Sequence, residues 1–399
     1  MRLPWFILFC LLFPFTVLAQ YGTVSGIVTS ADSKKPIVGA SVFLSNSSVG
    51  TATNDKGAFT LSNVRPGQYT LVVSILGFQD YDKTVLVGPE PIKMDVQMTP
   101  KPLELREVVI SSPADWKKNY EEFRRNFIGV DENAKYCEVQ NPHTLNLTYN
   151  QTKQILHADA DQFLIIENKA LGYRIKFLVR DFNVDHIQNI ISSDGDRVFE
   201  ELPGSAAQKK KWHDAREAVY YGSSMHFFRS IIAESLIKEG FEVYTLKRYL
   251  NPNRLKEEDI KRGIKVAQQM QRRDSFNYYV DMENNVPKWV HESLVKPAMT
   301  ESDIASHYDN SNGLFILHFD EFLYVVYTKK RDETDYKDIY RPLDMPNYEI
   351  SVISPLNGSG YPIFDRNGIV VGNGIFTEGT WTKSRLSDLL PVDYVPDQP

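Results

Sequence analysis

One stretch of the sequence brings basic and aromatic side chains together, and such side chains can bind an anion. Lysine, arginine and protonated histidine donate charged hydrogen bonds to phosphate and carboxylate groups. The stretch therefore predicts a site for a phosphate, a lipopolysaccharide headgroup or an acidic glycan. The alternative is a solvated helix start followed by packed aromatic residues. The candidate ligand-binding residues are Lys211, Trp212, His213, Arg216, His226 and Arg229.

Serine and histidine also stand close enough in the sequence to suggest hydrolytic chemistry. Ser223 or Ser224 could act as a nucleophile with His226 as its base. The sequence lacks the Gly-x-Ser-x-Gly motif, and no third member of a triad can be named. Capping of a helix is the alternative role for these serines, so we predict no catalytic residue.

Three alternating residues could hold a hard cation. His157, Asp159 and Asp161 would share one face of an extended chain. A calcium loop needs more oxygen ligands and a glycine at its turn, so a solvated strand edge is the favoured interpretation. The sequence also lacks a Walker loop, a GxGxxG motif and a Cys-x-x-Cys motif. We therefore predict neither a metal site nor a cofactor.

The composition excludes several classes of protein. The 399 residues include 45 Lys+Arg and 51 Asp+Glu, which gives a formal net charge of −6, and 42% are hydrophobic. These values are those of a globular protein rather than of a disordered chain. The acidic balance argues against nucleic acid as a partner. At roughly 150 residues per domain, the length predicts two or three domains.

The N-terminus has the pattern of a secretory signal peptide. Arg2 supplies a positive charge, and an apolar run from Trp5 to Ala19 follows. The run is shorter than the roughly 20 residues that a membrane-spanning helix needs. We expect residues 1–19 to be cleaved off, which would send the chain across the inner membrane to the periplasm or the outer membrane. Cleavage would leave Cys137 as the only cysteine, which we interpret as a buried structural thiol.

Residues 21–100 have the pattern of a small β-sandwich. Short β-branched or aromatic runs alternate with turn sequences such as Asn54-Asp55-Lys56-Gly57 and Arg65-Pro66-Gly67. Glycine and proline provide the backbone angles that tight turns need. Seven strands without a helical period predict two packed sheets. The predicted strands are Thr23–Thr29, Ala40–Leu44, Thr51–Thr53, Ala58–Leu61, Tyr69–Ile75, Lys83–Val87 and Ile92–Met98.

The turns and strands of this segment carry a set of short motifs. They are Gly26-Ile27-Val28, Pro36 to Val42, Gly50 to Phe59, Pro66 to Leu71 and Leu76-Gly77-Phe78. With these motifs the segment resembles the carboxypeptidase regulatory-like domain. The resemblance implies a seven-stranded prealbumin-like sandwich that supports folding or contacts a partner. Similar domains form the N-terminal extension of TonB-dependent outer-membrane receptors of Bacteroidetes.

The resemblance raises the question of carboxypeptidase activity. A zinc carboxypeptidase of this type uses His-x-x-Glu and a third ligand histidine much later in the chain. His318-Phe319-Asp320-Glu321 fits the first part, but His318 is the last histidine of the sequence. Carboxypeptidase activity is therefore not expected. The segment from Leu105 to Ile110 resembles the lead into a receptor plug, although the chain beyond it is too short for a plug and a barrel.

A linker at residues 101–113 and a larger domain at residues 114–399 follow the sandwich. A helix is expected over Asp115 to Ile128 because aromatic residues recur along one helical face. Asp115 is its predicted N-cap, and Gly129 is predicted to lie just beyond its end.

The rest of the larger domain predicts a mixture of strands and helices. Strands are expected between residues 135 and 200, and helices from Lys209 to Glu239 with a break at Gly222-Ser223-Ser224. Asn367-Gly368 predicts a β-hairpin with a type I′ turn. The region resembles a group of secreted Bacteroidetes proteins in which the same sandwich precedes a domain of unknown function. That resemblance is carried by Asn141-Pro142, Leu171-Gly172-Tyr173, the run from Tyr221 to Phe227, Arg229 and Gly240-Phe241.

These observations predict a β-rich α+β protein, in which a sandwich precedes a larger mixed α+β domain. The expected function is that of an exported, non-catalytic cell-envelope protein. Its sandwich would dock an outer-membrane or other envelope protein, and its larger domain would bind a protein or a ligand such as an anionic glycan. Two alternatives stay open, namely a secreted hydrolase with an unrecognised site and a small outer-membrane barrel.

Overall fold

The structure is a computed structural model, and it describes residues 21–101, 112–187, 190–309, 313–319, 322–332, 346–356, 360–371 and 374–397. The chain divides into two compact units. The first consists of Met1–Leu44 and Val49–Pro102, and the second of Ser45–Ser48 and Leu103–Pro399. The predicted signal peptide, the plug-like segment and most of the predicted linker lie outside the described residues, and they stay predictions.

Two four-stranded sheets make up the first unit. Its strands are β1 (Gly22–Ser30), β2 (Ser41–Leu44), β3 (Gly50–Ala52), β4 (Ala58–Val64), β5 (Gly67–Ser74), β6 (Tyr81–Val87), β7 (Ile92–Lys93) and β8 (Val96–Met98). One sheet has the strand order β4-β1-β7, with β8 also paired to β1, and the other has the order β3-β2-β5-β6. Alternate residues of β1 are buried, and Val24 and Val28 are fully enclosed. The predicted N-terminal sandwich is confirmed.

The described part of the sandwich has eight strands where the sequence predicts seven, because the last predicted strand is divided. β7 and β8 both pair in parallel with β1. Between them, the Asp95 carboxylate accepts a hydrogen bond from the backbone N–H of Ile27 at 3.0 Å. The chain also passes very close to Gly26, where a Cβ would lie 1.8 Å from the carbonyl oxygen of Met94. A side-chain acceptor therefore interrupts the strand ladder.

The second unit mixes helices with three sheets in the part of the chain that the structure describes. The helices are α1 (Pro113–Phe127), α2 (Ala206–Tyr220), α3 (Ser224–Ile232), α4 (Leu236–Glu239), α5 (Glu257–Gln269), α6 (Arg273–Asn284) and α7 (Glu301–Ile304). The strands are β9 (Cys137–Val139), β10 (Leu145–Asn150), β11 (Ile155–Ala160), β12 (Leu164–Asn168), β13 (Tyr173–Asp185), β14 (Ile190–Glu201), β15 (Phe241–Leu250), β16 (Trp289–Val295), β17 (Ala305–Asp309), β18 (Leu314–Leu317), β19 (Phe322–Arg331), β20 (Tyr348–Pro355), β21 (Ile363–Asp365) and β22 (Ile375–Gly379). The β-rich α+β class is confirmed.

The sheets of the second unit each follow a simple order. The first has the order β10-β11-β13-β12-β9, with β14 also paired to β13. The second has the order β16-β15-β19-β20-β22, and the third the order β17-β18-β21. The neighbouring strands of these orders pair in antiparallel fashion, and many are close in the sequence, so the sheets resemble folded meanders.

Helix α1 packs its predicted aromatic face onto the first of these sheets. The ring of Phe127 lies edge-on to Phe177 and Phe182 of β13, with ring centroids 5.0 and 5.4 Å apart. The predicted N-cap was wrong by three residues, because the Ser112 hydroxyl accepts the backbone N–H of Asp115 at 3.1 Å. Proline at position 113 explains the difference, since proline is favoured in the first helical turn and needs no acceptor for an N–H.

The predicted break in the second helical region is confirmed. α2 ends at Tyr220 and α3 begins at Ser224, with Gly222 at a φ of 89° between them. Ser223 is the N-cap of α3, and its hydroxyl accepts the backbone N–H of His226 at 3.2 Å. The first helix begins at Ala206 rather than at the predicted Lys209, and the stretch after the break is divided into α3, which ends at Ile232, and α4, which ends at Glu239.

The turn at Asn367-Gly368 differs from the predicted type I′ turn. Gly368 has a φ of 78°, but Asn367 is not among the residues with positive φ, as a type I′ turn would require. The carboxylate of Asp365 accepts the backbone N–H groups of Asn367 and Ile369, both at 3.0 Å. The Asp365 side chain therefore stabilises a turn in which only Gly368 has the left-handed conformation.

Two further sequence-based expectations can be compared with the structure. Cys137 is 5% exposed, and burial raises the pKa of its thiol to about 12, which makes it unreactive as the sequence suggested. Among the described residues, no helix is both long enough and apolar enough to cross a membrane.

Candidate functional site

Trp212 is part of the core of the second unit. Its side chain is 9% exposed, and its indole N–H donates to the carbonyl oxygen of Lys169 at 2.9 Å. The ring packs against two glycines, since a Cβ on Gly172 would lie 2.2 Å from the indole and one on Gly204 would lie 2.6 Å away. The indole face is therefore covered by the protein itself.

Arg216, one turn further along α2, binds backbone carbonyls. Its Nε donates to Leu171 at 2.7 Å, and its Nη1 pairs with the Glu201 carboxylate at 2.7 Å. The guanidinium carbon lies 3.9 Å from the centre of the Tyr173 ring. These contacts hold the β12–β13 turn against α2, and they direct the guanidinium away from an incoming anion.

Arg229 on α3 has the same kind of role. Its three nitrogens donate to the carbonyl oxygens of Asn367, Tyr394 and Val392 at 2.9, 2.8 and 2.9 Å. The guanidinium carbon also lies 5.5 Å from the centre of the Tyr220 ring. Arg229 therefore ties two distant segments to α3.

His226 is buried within a group of aromatic rings. Its Nδ1 accepts the backbone N–H of Gly222 at 3.1 Å, which assigns the ring proton to Nε2. That Nε2 faces the Glu239 carboxylate at 3.3 Å. The Ser223 hydroxyl bonds the backbone of His226 rather than its ring, so the capping alternative describes this serine. The surrounding rings are Tyr220, Tyr221, Phe241 and Tyr327.

The six candidate residues thus fall into separate places rather than one anion site. Lys211 is exposed and Trp212 is buried at the start of α2, where both line a groove of about 540 Å³. His213 faces Asp397 instead, at 3.1 Å. The other groove residues are Tyr136, Glu167, Lys169, Ala170, Arg174, Leu202, Pro203 and Gln208.

The groove is rich in cations. Lys169 pairs with Glu138 at 2.9 Å, and Arg174 pairs with Glu167 at 2.7 Å. Among the described residues, no carboxylate forms an ion pair with Lys211. Exposed ion pairs of this kind contribute about 0–1 kcal/mol, so an anionic ligand could replace the carboxylates at little cost. Sequence reasoning found Lys211 but missed Arg174 and Lys169, which lie on other elements.

The predicted His157 trio is only partly assembled. His157 Nε2 lies 3.4 Å from Asp159, and its Nδ1 lies 3.0 Å from the amide oxygen of Asn183 and 3.2 Å from Asp181. Asp161 follows the end of β11 and so leaves the alternating face. The arrangement is a polar network on a partly solvated sheet face, but β11 pairs with both β10 and β13, so it is not the solvated strand edge that the sequence favoured.

A second serine–histidine pair was not foreseen from the sequence. The Ser306 hydroxyl lies 2.5 Å from His318 Nε2, across paired strands β17 and β18. This contact provides two of the groups that hydrolytic chemistry uses. Glu321 of the His-x-x-Glu pattern lies outside the described residues.

The half-buried Asp388 and the buried His226 are among the titratable groups whose pKa values are shifted. Burial raises the pKa of the Asp388 carboxyl to about 6, although Asn133 donates to it at 2.8 Å. Burial lowers the pKa of His226 to about 4, and the neighbouring Glu239 carboxylate opposes that shift. Asp388 also lines a cavity of about 170 Å³ with Ser223, Met225 and Trp381.

We expect Asp388→Asn to stabilise the protein by about 2 kcal/mol at pH 7.5 and by much less at pH 4. A carboxyl whose pKa is higher in the folded state binds more protons folded than unfolded. The stability that it contributes is therefore present at low pH and is lost as the pH rises through about 6. Urea unfolding at pH 7.5, 6 and 4 measures the difference.

His226→Gln is the comparison variant, because His226 affects the pH dependence of stability in the opposite direction. The lowered pKa of His226 makes wild-type stability fall as the pH drops from about 6.5 to about 4, and glutamine removes that fall while its amide oxygen can still accept the Gly222 N–H. If Asp388→Asn increased the free energy of unfolding equally at pH 7.5 and pH 4, the raised pKa of Asp388 would be contradicted.

The comparisons with known proteins include one family model and several solved structures. The family model of the CarboxypepD_reg-like domain matches residues 24–110, which confirms the resemblance of the sandwich. No curated protein matches the chain. A type II cohesin–X-dockerin complex from Acetivibrio cellulolyticus is 18% identical with a TM-score of 0.18, and the match covers 19% of this chain and 56% of that one.

Two other solved structures are similarly distant. The minor pilin of Streptococcus agalactiae is 16% identical with a TM-score of 0.19, over 21% of this chain and 47% of that one. A membrane-associated protein of unknown function from Bacteroides fragilis is 10% identical with a TM-score of 0.17, over 90% of this chain and 95% of that one. The chain thus spans about half the length of the cohesin complex chain and of the pilin. With such low TM-scores, these likenesses carry no argument about function.

Proposed function

We propose that this chain is an exported, non-catalytic protein of the cell envelope that binds an anionic glycan in the groove at the start of α2. The observation that carries the proposal is the exposed Lys211 beside Lys169 and Arg174, around a groove of about 540 Å³. That volume falls within the range of roughly 300–1,000 Å³ that is common for ligand pockets.

The groove combines charge with surfaces that suit a sugar. Tyr136 is 55% exposed and offers an aromatic ring at the edge of the groove. Leu202 and Pro203 add apolar wall, while the cations supply charged hydrogen bonds to carboxylate or sulfate groups. A ligand with both a flat sugar face and an acidic group would use all of these contacts.

The export and docking parts of the proposal rest on the first hundred residues. The predicted signal peptide at residues 1–19 supports export to the periplasm or to the outer membrane. The carboxypeptidase regulatory-like domain supports docking of the sandwich to an envelope protein, the role that its resemblance implies. Mass spectrometry of the protein from fractionated envelopes, with a mature chain that begins at Gln20, tests the export part.

We expect Lys211→Glu to weaken binding of an acidic oligosaccharide about tenfold or more, because one charged hydrogen bond contributes about 1.5–3 kcal/mol. The probes are a heparin hexasaccharide and an oligogalacturonate, titrated by thermophoresis at physiological salt. Lys210→Glu is the matched control, since it changes the net charge equally on the same helix but does not line the groove. Equal losses of affinity in the two variants, or no binding of either oligosaccharide to the wild type, would refute the proposed binding site in the groove.

The hydrolase alternative keeps one observation in its favour, the contact between Ser306 and His318. Covalent labelling of Ser306 by a fluorophosphonate, lost in Ser306→Ala, would favour that alternative over a purely binding role.

A further inference from the structure

Three potential metal ligands converge on one face of α2. His213 and Glu217 are four residues apart, so the helix places their side chains side by side. Asp397 reaches the same point from the end of the described chain. One ligand atom from each of the three lies within 4.8 Å of the other two. His213 Nε2 and the nearer carboxylate oxygen of Asp397 are 3.1 Å apart.

The segment that carries Asp397 is anchored to the helical region. Arg229 holds the carbonyl oxygens of Val392 and Tyr394 at 2.9 and 2.8 Å. The backbone N–H of Tyr394 also donates to Pro391 at 2.9 Å, which closes a turn. Asp397 therefore lies three residues beyond Tyr394, whose backbone is held by these hydrogen bonds.

Three carboxylates lie close to His213. Asp214 faces the second ring nitrogen, Nδ1, at 3.7 Å, so three carboxylates surround one imidazole. Arg216 on the same helix is directed to Leu171 and Glu201. A bound cation would balance this charge.

The donor set indicates the class of ion. An imidazole nitrogen with carboxylate oxygens suits zinc-like divalent transition metals, whereas calcium and magnesium prefer oxygen ligands alone. Ligand atoms at 2.0–2.1 Å from a tetrahedral zinc ion lie about 3.3 Å apart, close to the spacing of His213 and Asp397. A carboxylate behind the other ring nitrogen is the usual outer partner of a metal-bound histidine, and Asp214 lies on that side of the ring, 3.7 Å from Nδ1.

We propose that His213 Nε2, Glu217 and Asp397 bind one divalent zinc-like ion, with Asp214 orienting the imidazole and water completing the coordination. The ion would tie the segment around residues 391–397 to α2. The site shares no ligand with the groove and does not depend on glycan binding. Sequence reasoning did not find this site, because Asp397 is far from the two helical ligands in the chain.

Zinc titration of the full chain, carrying a tag without histidines, tests the proposal by calorimetry at pH 7.4 in a non-chelating buffer. We expect one ion per chain, loss of binding in His213→Ala, and binding about tenfold weaker in Asp214→Asn. His186→Ala is the matched control. His186 is a similarly exposed histidine that faces a single carboxylate, Glu122, at 2.6 Å, and its loss should leave binding unchanged.

Glu217→Gln is a second variant that preserves the size of the side chain and the contact between His213 and Asp397. Its zinc affinity should fall at least tenfold while its circular dichroism stays that of the wild type. The proposal is overturned if the wild type binds no stoichiometric zinc, or if His213→Ala and Glu217→Gln bind it as tightly as the wild type does.

Discussion

Replacing Trp212 by alanine should lower the free energy of unfolding of the second unit by about 4 kcal/mol. The indole is 9% exposed and fills the space against Gly172 and Gly204, so its removal leaves a cavity. The variant also loses the hydrogen bond to the Lys169 carbonyl. Urea unfolding measures the change through tryptophan fluorescence. In a protein expressed without residues 1–19, Trp116, Trp289 and Trp381 remain to report, and all of them lie in the second unit.

The neighbouring Lys211→Ala is the control for this prediction. Lys211 is exposed on the same helix, and surface substitutions of this kind change stability by about 0.5 kcal/mol or less. Trp212→Phe should fall between the two at about 1–2 kcal/mol, since it keeps most of the ring but leaves the carbonyl of Lys169 without its donor. If Trp212→Ala were as stable as Lys211→Ala and instead lost only ligand binding, Trp212 would be a ligand platform, as its sequence context suggested.

Most of the secondary structure could be predicted because its causes are local. The alternation along β1 and the aromatic face of α1 are visible in a few consecutive residues, and both are found in the structure. The break at Gly222 and the cap at Ser223 depend on neighbours only a few positions away. One error has a distant cause, because the Asp95 carboxylate that divides the last strand of the sandwich accepts its hydrogen bond from Ile27, which is 68 positions away in the sequence.

The site could not be predicted in the same way, because residue type reveals a charge but not its partner. Arg216 and Arg229 look like anion ligands in the sequence, yet both donate to backbone carbonyls. A carbonyl acceptor leaves no signature in the sequence, since every residue has one. The partners of Arg229 also lie far along the chain, at residues 367, 392 and 394. Lys211 lines the groove, and its role in ligand binding stays a prediction.

Arg229→Ala should cost about 3 kcal/mol of stability. The guanidinium satisfies three carbonyl oxygens, and each partly buried acceptor that loses a charged donor costs about 1–3 kcal/mol unless water replaces it. The turn at Asn367 and the segment around Val392 would both lose their attachment to α3. Tryptophan fluorescence during urea unfolding again reports on the second unit. We also expect faster proteolysis within residues 391–397, because local opening of that segment would need less free energy.

Two comparison variants test whether the geometry or the charge of the Arg229 side chain provides this stability. Arg229→Lys keeps the charge but replaces the planar fork by a single ammonium group, which cannot reach three carbonyls in different directions, so it should recover about 1 kcal/mol at most. Arg262→Ala removes an arginine that is 70% exposed and pairs only with Asp259, and it should change stability by about 0.5 kcal/mol or less. Full recovery by lysine would mean that Arg229 acts through its charge, and the anchoring of the segment that carries Asp397 would then need another explanation.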